Sequence, residues 1–180
     1  MQSGINRFLG VVIMHRLILI FVLFLICACV GFFQSEKIRL RYKNLCTLKT
    51  ALAIVKTNIE FFGYDIGRAL RETEEKTEVK GLFCVAAKNI AEYGVQAAWS
   101  LAVRECSGGL SLTEDDEEAL LLLGARLGMT DTEGQKKNID AVCAMLDTNI
   151  VSAKENMDRY CRLYSSGGVM VGLFLAIVLA

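Results

Sequence analysis

The sequence predicts an all-α fold: an antiparallel helical bundle of about six helices flanked by N- and C-terminal transmembrane helices. Three observations predict it. Both ends of the chain are long apolar runs, the middle repeats apolar residues at steps of three and four, and proline is absent from all 180 residues.

From Leu17 to Phe33 the chain reads LILIFVLFLICACVGFF without a charge. A helix of that length covers roughly 25 Å of hydrocarbon. The apolar stretch from Phe8 to Met14 leads into it, and His15 and Arg16 between them reach toward the interface, so the first span is placed at 8–33. A cleaved signal peptide is the competing reading, since Arg7 and Arg16 precede the apolar run and small residues surround Cys27 and Cys29. The run continues to Phe33, however, and a basic segment follows, as expected of a retained helix leaving a bilayer.

At the other end Gly167 to Ala180 reads GGVMVGLFLAIVLA, which places the second span at 165–180, preceded by Arg159 and Arg162. Lys37, Arg39, Arg41, Lys43 and Lys49 follow the first span, and Lys154, Arg159 and Arg162 precede the second; only Arg7 and Arg16 lie on the other side. This bias sets the domain 34–164 in the cytoplasm, with Arg16, Lys37, Arg159 and Arg162 as the boundary residues. Cys27 and Cys29 fall in the first span. The five remaining cysteines of the total of 7 are widely spaced and odd in number, which argues against a disulfide framework and a zinc site and predicts buried thiols in a reducing compartment. With 20 basic and 20 acidic residues, the chain has no electrostatic footprint for nucleic acid.

Within the domain, Leu45, Leu48, Leu52, Val55, Ile59 and Phe62 form the seam of a long helix ended by Gly63. Ile139, Cys143, Leu146, Ile150, Ala153, Met157, Tyr160 and Tyr164 form a matching seam on the last helix. The two pair antiparallel if both membrane junctions are to be adjacent. Shorter helices are expected over Asp65 to Glu75, Val79 to Glu92 and Val95 to Glu105, with breaks near Gly81, at Gly94 and at Gly108-Gly109. Thr113 caps a further helix whose first turn holds Glu114, Asp115, Asp116, Glu117 and Glu118, favoured there by the helix dipole, and Gly128 ends it. Thr130 or Asp131 then starts the last helix.

Chemistry is sparse. The single histidine, His15, sits beside the first span, and no phosphate loop, H-E-x-x-H helix or G-x-S-x-G turn occurs. A non-enzymatic protein without cofactor or metal is expected. Trp99 and the cluster Phe61, Phe62 and Tyr64 are expected to pack, the first in the core and the others at the distal tip.

Several segments carry a resemblance. They are Ile59-Glu60-Phe61-Phe62-Gly63 with Ala69-Leu70, then Ala98-Trp99, and most specifically Leu112-Thr113-Glu114-Asp115-Asp116 followed by Leu123-Gly124, Leu127-Gly128, Asp131 and Gln135. Together with the terminal spans, they resemble the stage III sporulation protein AB family. The chain departs from the family pattern at Ile66-Gly67, where Pro-Leu is usual. The family's soluble part is similar to the cytoplasmic domain of platform protein F of type II secretion. The resemblance implies a scaffold in the channel complex between mother cell and forespore, in the mother-cell membrane. It also implies docking on a secretion-type ATPase, stage III sporulation protein AA, and association with the other stage III sporulation A-complex proteins. Candidate contact residues are Glu114, Asp115 and Glu118 at the acidic helix start, and Asp131 and Gln135 at the next turn. The alternative function is a membrane-anchored helical sensor or adaptor.

Overall fold

The computed structural model describes residues 33–79 and 81–179, with the side chains of 161, 162 and 164–179 left aside. The chain divides into a unit Met1–Lys37, of which only 33–37 are described, and a unit Ile38–Ala180 that carries the bundle. Among the described residues there are five helices and no strand: α1 (33–62), α2 (Ile66–Lys76), α3 (Leu82–Leu110), α4 (Glu114–Arg126) and α5 (Thr132–Leu179). The expected first span, apart from its last residue, lies outside the described residues, as do the side chains of the expected second span. Among the described residues, no helix is long and apolar enough to cross a membrane.

The count is five where about six helices were expected, because the break at Gly94 is a kink within α3. Gly94 has φ 77° and ψ 166°, which a helix cannot use, yet hydrogen bonding continues on both sides. Gly108-Gly109 does not break the helix, which runs on to Leu110 and closes on Ser111 in the left-handed region. Two adjacent glycines lower helix propensity by about 1 kcal/mol each, and tertiary packing through Ser107 and Leu110 overrides that preference here.

The predicted pairing of the two long helices is present and its register is visible in ion pairs. Lys49 reaches Asp147 at 2.5 Å and Lys56 reaches Asp140 at 2.7 Å, so seven residues forward on α1 match seven residues back on α5. Lys136 meets Glu60 further along the same seam. Such exposed pairs contribute roughly 0–1 kcal/mol each; the stabilisation comes from Leu45, Leu48, Leu52, Val55 and Ile59 facing Ile139, Leu146 and Ala153, all buried. Phe62 departs from the expected seam: it is 60% exposed, with Phe61 at 76%, so these two do not pack inward, while Tyr64 packs against the core. Phe62 stacks instead on Tyr64, ring centroids 5.5 Å apart.

Antiparallel pairing gives the bundle two ends. Its base holds the start of α1 near Arg41 and the middle of α5 near Asn149, which share one partner, Asp116 at the start of α4. Its tip holds the end of α1, the start of α2, the α3 kink and the α4–α5 turn, which line a common groove.

Between the helices, buried donors aim at backbone carbonyls. Asn44 Nδ2 donates to Leu110 O, Trp99 Nε1 to Leu120 O and Asn138 Nδ2 to Leu123 O, at 2.8, 2.7 and 3.2 Å. A buried donor without its acceptor costs about 1–3 kcal/mol, so each bond fixes which turn of one helix lies against which turn of the next.

Candidate functional site

The acidic run at the start of α4 divides by burial. Glu114, Asp115 and Glu118 are exposed, Glu117 is intermediate, and Asp116 is fully buried. Thr113 is the N-cap as expected, in extended backbone conformation, and Asp116 is the third helical residue. The Thr113 hydroxyl donates to Asp116 Oδ2 at 2.9 Å and its backbone N–H donates to the same oxygen at 3.0 Å.

Three helices converge on this carboxylate. Arg41 from α1 donates through Nε to Oδ2 at 2.7 Å and through Nη2 to Oδ1 at 2.9 Å, the two-pronged geometry of a strong charge-assisted pair. Asn149 from α5 donates to Oδ1 at 2.8 Å. Burial pushes the Asp116 carboxyl upward, but the Arg41 guanidinium and both Thr113 donors outweigh it, and the net shift is downward. The acid is therefore ionised and structural at neutral pH, and the surface left at this helix start is Glu114, Asp115 and Glu118.

The second candidate pair sits at the other end of α4. Asp131 caps α5: its Oδ1 accepts from Gly134 N at 2.9 Å. Gln135 follows one turn on, and its Nε2 donates to Thr130 O at 3.1 Å. The 13 residues of α4 separate the two candidate surfaces by roughly 20 Å. The structure thus does not join them: Glu114, Asp115 and Glu118 lie at the base, Asp131 and Gln135 at the tip. Of the four boundary residues, Lys37 and Arg159 are exposed, while Arg16 and the Arg162 side chain lie outside the described residues.

Trp99 is a core residue, as expected, 1% exposed and tilted against Phe83. Its indole lies directly on Gly124, where an added Cβ would fall 2.4 Å from Cδ1. The thiols of Cys46, Cys84, Cys106 and Cys143 are free and half-buried, less enclosed than expected. Burial first, then Glu105 and Glu74, pushes the Cys106 thiol up; burial and Asp140 do the same at Cys143. Both remain protonated at neutral pH and are poor nucleophiles. Among the described residues, no group of histidine, cysteine and acidic side chains is arranged to hold a metal ion.

Beside the buried Asn44, Asn138 and the Asp116 partner Asn149, a further structural residue escaped the sequence reading. Glu74 on α2 caps α3 from outside: its carboxylate accepts from Gly81 N, Phe83 N and Cys84 N at 2.9, 3.1 and 3.2 Å. Gly81, the local N-cap, has no side chain to offer, and no local spacing signals a cap that comes from another helix.

These features define an α-helical bundle protein in which buried polar side chains hold the helices in register and the candidate residues fall on two separate surfaces. The chain belongs to the stage III sporulation protein AB family, whose profile it matches over residues 16–180. Membership gives it a role in sporulation. A solved structure titled stage III sporulation protein AB has the same fold: it superposes with a TM-score of 0.61 at 20% identity, covering 66% of this chain and 97% of that one. A search of curated protein sequences gives no match.

Proposed function

We propose that this chain is a non-enzymatic membrane platform in the sporulation channel complex between mother cell and forespore, required for spore formation. Two spans, 8–33 and 165–180, hold it in the mother-cell membrane. The bundle 34–164 stands in the cytoplasm, docks a secretion-type ATPase of the stage III sporulation protein AA kind, and associates with the other proteins of that complex.

The observation that carries this reading is the antiparallel register of α1 and α5, seen in the Lys49–Asp147 and Lys56–Asp140 pairs. With that register, the start of α1 and the stretch of α5 leading toward the C-terminus lie at the same end of the bundle, so both apolar termini can enter one bilayer while the tip stays free. The positive residues flanking the two apolar runs support the cytoplasmic side.

Co-purification tests it. The full-length chain, solubilised from membranes of sporulating cells in mild detergent, is expected to retain the ATPase, and its deletion is expected to abolish heat-resistant spores. Absence of ATPase on the purified chain, together with normal spore yield in the deletion, contradicts the reading. Charge reversal at Glu114, Asp115 and Glu118 tests the acidic helix start separately: ATPase retention unchanged by the reversal removes that surface from the interface.

A further inference from the structure

The long flank of the bundle where α1 and α5 lie side by side is poor in charge. Between Lys43 and Glu60 the only charged residues of α1 are Lys49 and Lys56, and between Asp140 and Lys154 the only charged residue of α5 is Asp147. Lys49 is bound by Asp147 and Lys56 by Asp140. All four side chains keep part of their surface in solvent, from 27% at Lys56 to 57% at Asp140. A helix face left in water ordinarily carries charged residues along its length. This flank carries two neutralised pairs and, around them, small or β-branched side chains.

The antiparallel register sets these groups in levels. The two ion pairs form rungs seven residues apart on each helix, or about 10 Å. Between the rungs, Ala53 lies four residues on from Lys49 and Ala144 three residues back from Asp147, so the two exposed alanines stand at nearly one height. Toward the base, Cys46 and Val151 form the next level, and Val151 is 57% exposed. Thr50 and Thr57 stand in solvent on α1, and their hydroxyls donate to the carbonyls of Cys46 and Ala53 at 3.0 and 2.9 Å. Each is satisfied as a donor within its own helix.

We infer that this flank is a contact between two copies of the chain, related by a two-fold axis that runs along the helices. The charge pattern selects a second copy as the occupant. On both rungs the lysine belongs to α1 and the aspartate to α5. A two-fold along the helices sets α1 of one copy against α5 of the other without changing heights. Each lysine then meets the other copy's aspartate on the rung it already occupies, and like charges face only along the diagonals. A partner surface of one sign would meet both signs here.

The helix directions agree with this. α1 runs antiparallel to the second copy's α5, as it does to its own, so the four helices make an alternating square of the kind that four-helix bundles use. Ala53 and Ala144 fall between the rungs, where their short side chains let the helices approach to about 8–10 Å. The direction of the axis rests on the membrane reading above: copies held in one bilayer by the same two ends must stand parallel.

The test is disulfide cross-linking between two differently tagged full-length copies in membranes of sporulating cells, with the native cysteines replaced by serine or alanine. One copy carries Ala53→Cys and the other Ala144→Cys, and oxidation is expected to join them. A charge-exchanged chain combines Lys49→Asp, Lys56→Asp, Asp140→Lys and Asp147→Lys; it keeps both internal pairs with their signs reversed, and an unchanged melting temperature verifies its fold. Two exchanged copies are expected to cross-link as two parent copies do. Parent with exchanged copy is expected to yield about tenfold less, because every rung then sets like charges together. No dimer from positions 53 and 144, or equal yield from matched and mixed charge sets, overturns the inference and leaves the membrane reading standing. A link between Thr57→Cys and Val151→Cys in place of the first, across heights about 18 Å apart in parallel copies, shows antiparallel copies and contradicts both.

Discussion

Asp116 shows how a residue that reads as part of an acidic patch becomes the point where three helices are tied. Its folded-state pKa lies below its ordinary value of 3.8. It therefore contributes stability at pH values above 3.8, and that contribution is lost as pH falls through the folded-state value. A melting series from pH 6 down to pH 3 is expected to show a steep acid-side loss that Asp116→Asn flattens. At neutral pH, Asp116→Ala is expected to cost roughly 3–5 kcal/mol, because it leaves the Arg41 guanidinium, only 14% exposed, without its partner. Equal acid-side slopes in the two proteins would refute this role. Gly124→Ala is expected to cost about 1–3 kcal/mol, since its new methyl must displace the Trp99 indole; a blue or red shift in the single tryptophan's emission accompanying the loss checks the cause. The spacing that carried the family resemblance is thus physically legible: Asp116 ties helices, Gly124 makes room for Trp99, Gly128 turns the chain and Asp131 caps the next helix. What one-dimensional reading missed was that Asp116 points inward while its neighbours Glu114, Asp115 and Glu118 point out, because that depends on where Arg41 and Asn149 arrive from other helices.

At the scale of elements, helices were legible wherever caps and periodicity are local. Asp65 and Thr113 stand as N-caps one residue before α2 and α4, and Gly63 and Gly128 mark the ends of α1 and α4. Reading failed where a distant element decides. The start of α3 is capped by Glu74 across a loop, and Gly108-Gly109 stays helical because Leu110 and Ser107 are held by packing, with Asn44 donating to the Leu110 carbonyl. Glu74→Ala is expected to leave three N–H groups at the start of α3 without their acceptor, costing about 1–2 kcal/mol. Amide hydrogen exchange at Phe83 and Cys84 is the measurement: exchange in the variant no faster than in the parent would show that the cap is idle. The aromatic end of α1 was misjudged for a related reason. Phe61 and Phe62 continue the apolar pattern, but α1 ends just beyond the last packed turn, and nothing on α2 or α5 covers them.

For the molecule as a whole, the pairing of α1 with α5 is the organising fact, and it was legible because both helices repeat their apolar residues at the same spacing and both lead to apolar termini. Leu48→Ala in that seam is expected to lower stability by about 2–5 kcal/mol, against less than 1 kcal/mol for Lys56→Ala on its exposed edge; denaturant melts of the two variants compare them directly. The tip groove was not legible, because it is built from three corners that lie far apart along the chain and meet only when α1, α3 and α4 are packed. α5 runs unbroken from Thr132 at that tip to Leu179, 48 residues, or roughly 72 Å of helix. The most direct measurement of the account is the side of the membrane on which the tip lies. In a chain whose native cysteines are replaced by serine or alanine, a single cysteine at the exposed position Thr130 is challenged with a membrane-impermeant thiol reagent in intact and in permeabilised mother cells. Labelling only after permeabilisation is the result the account predicts; equal labelling in intact cells would put the tip outside and contradict it.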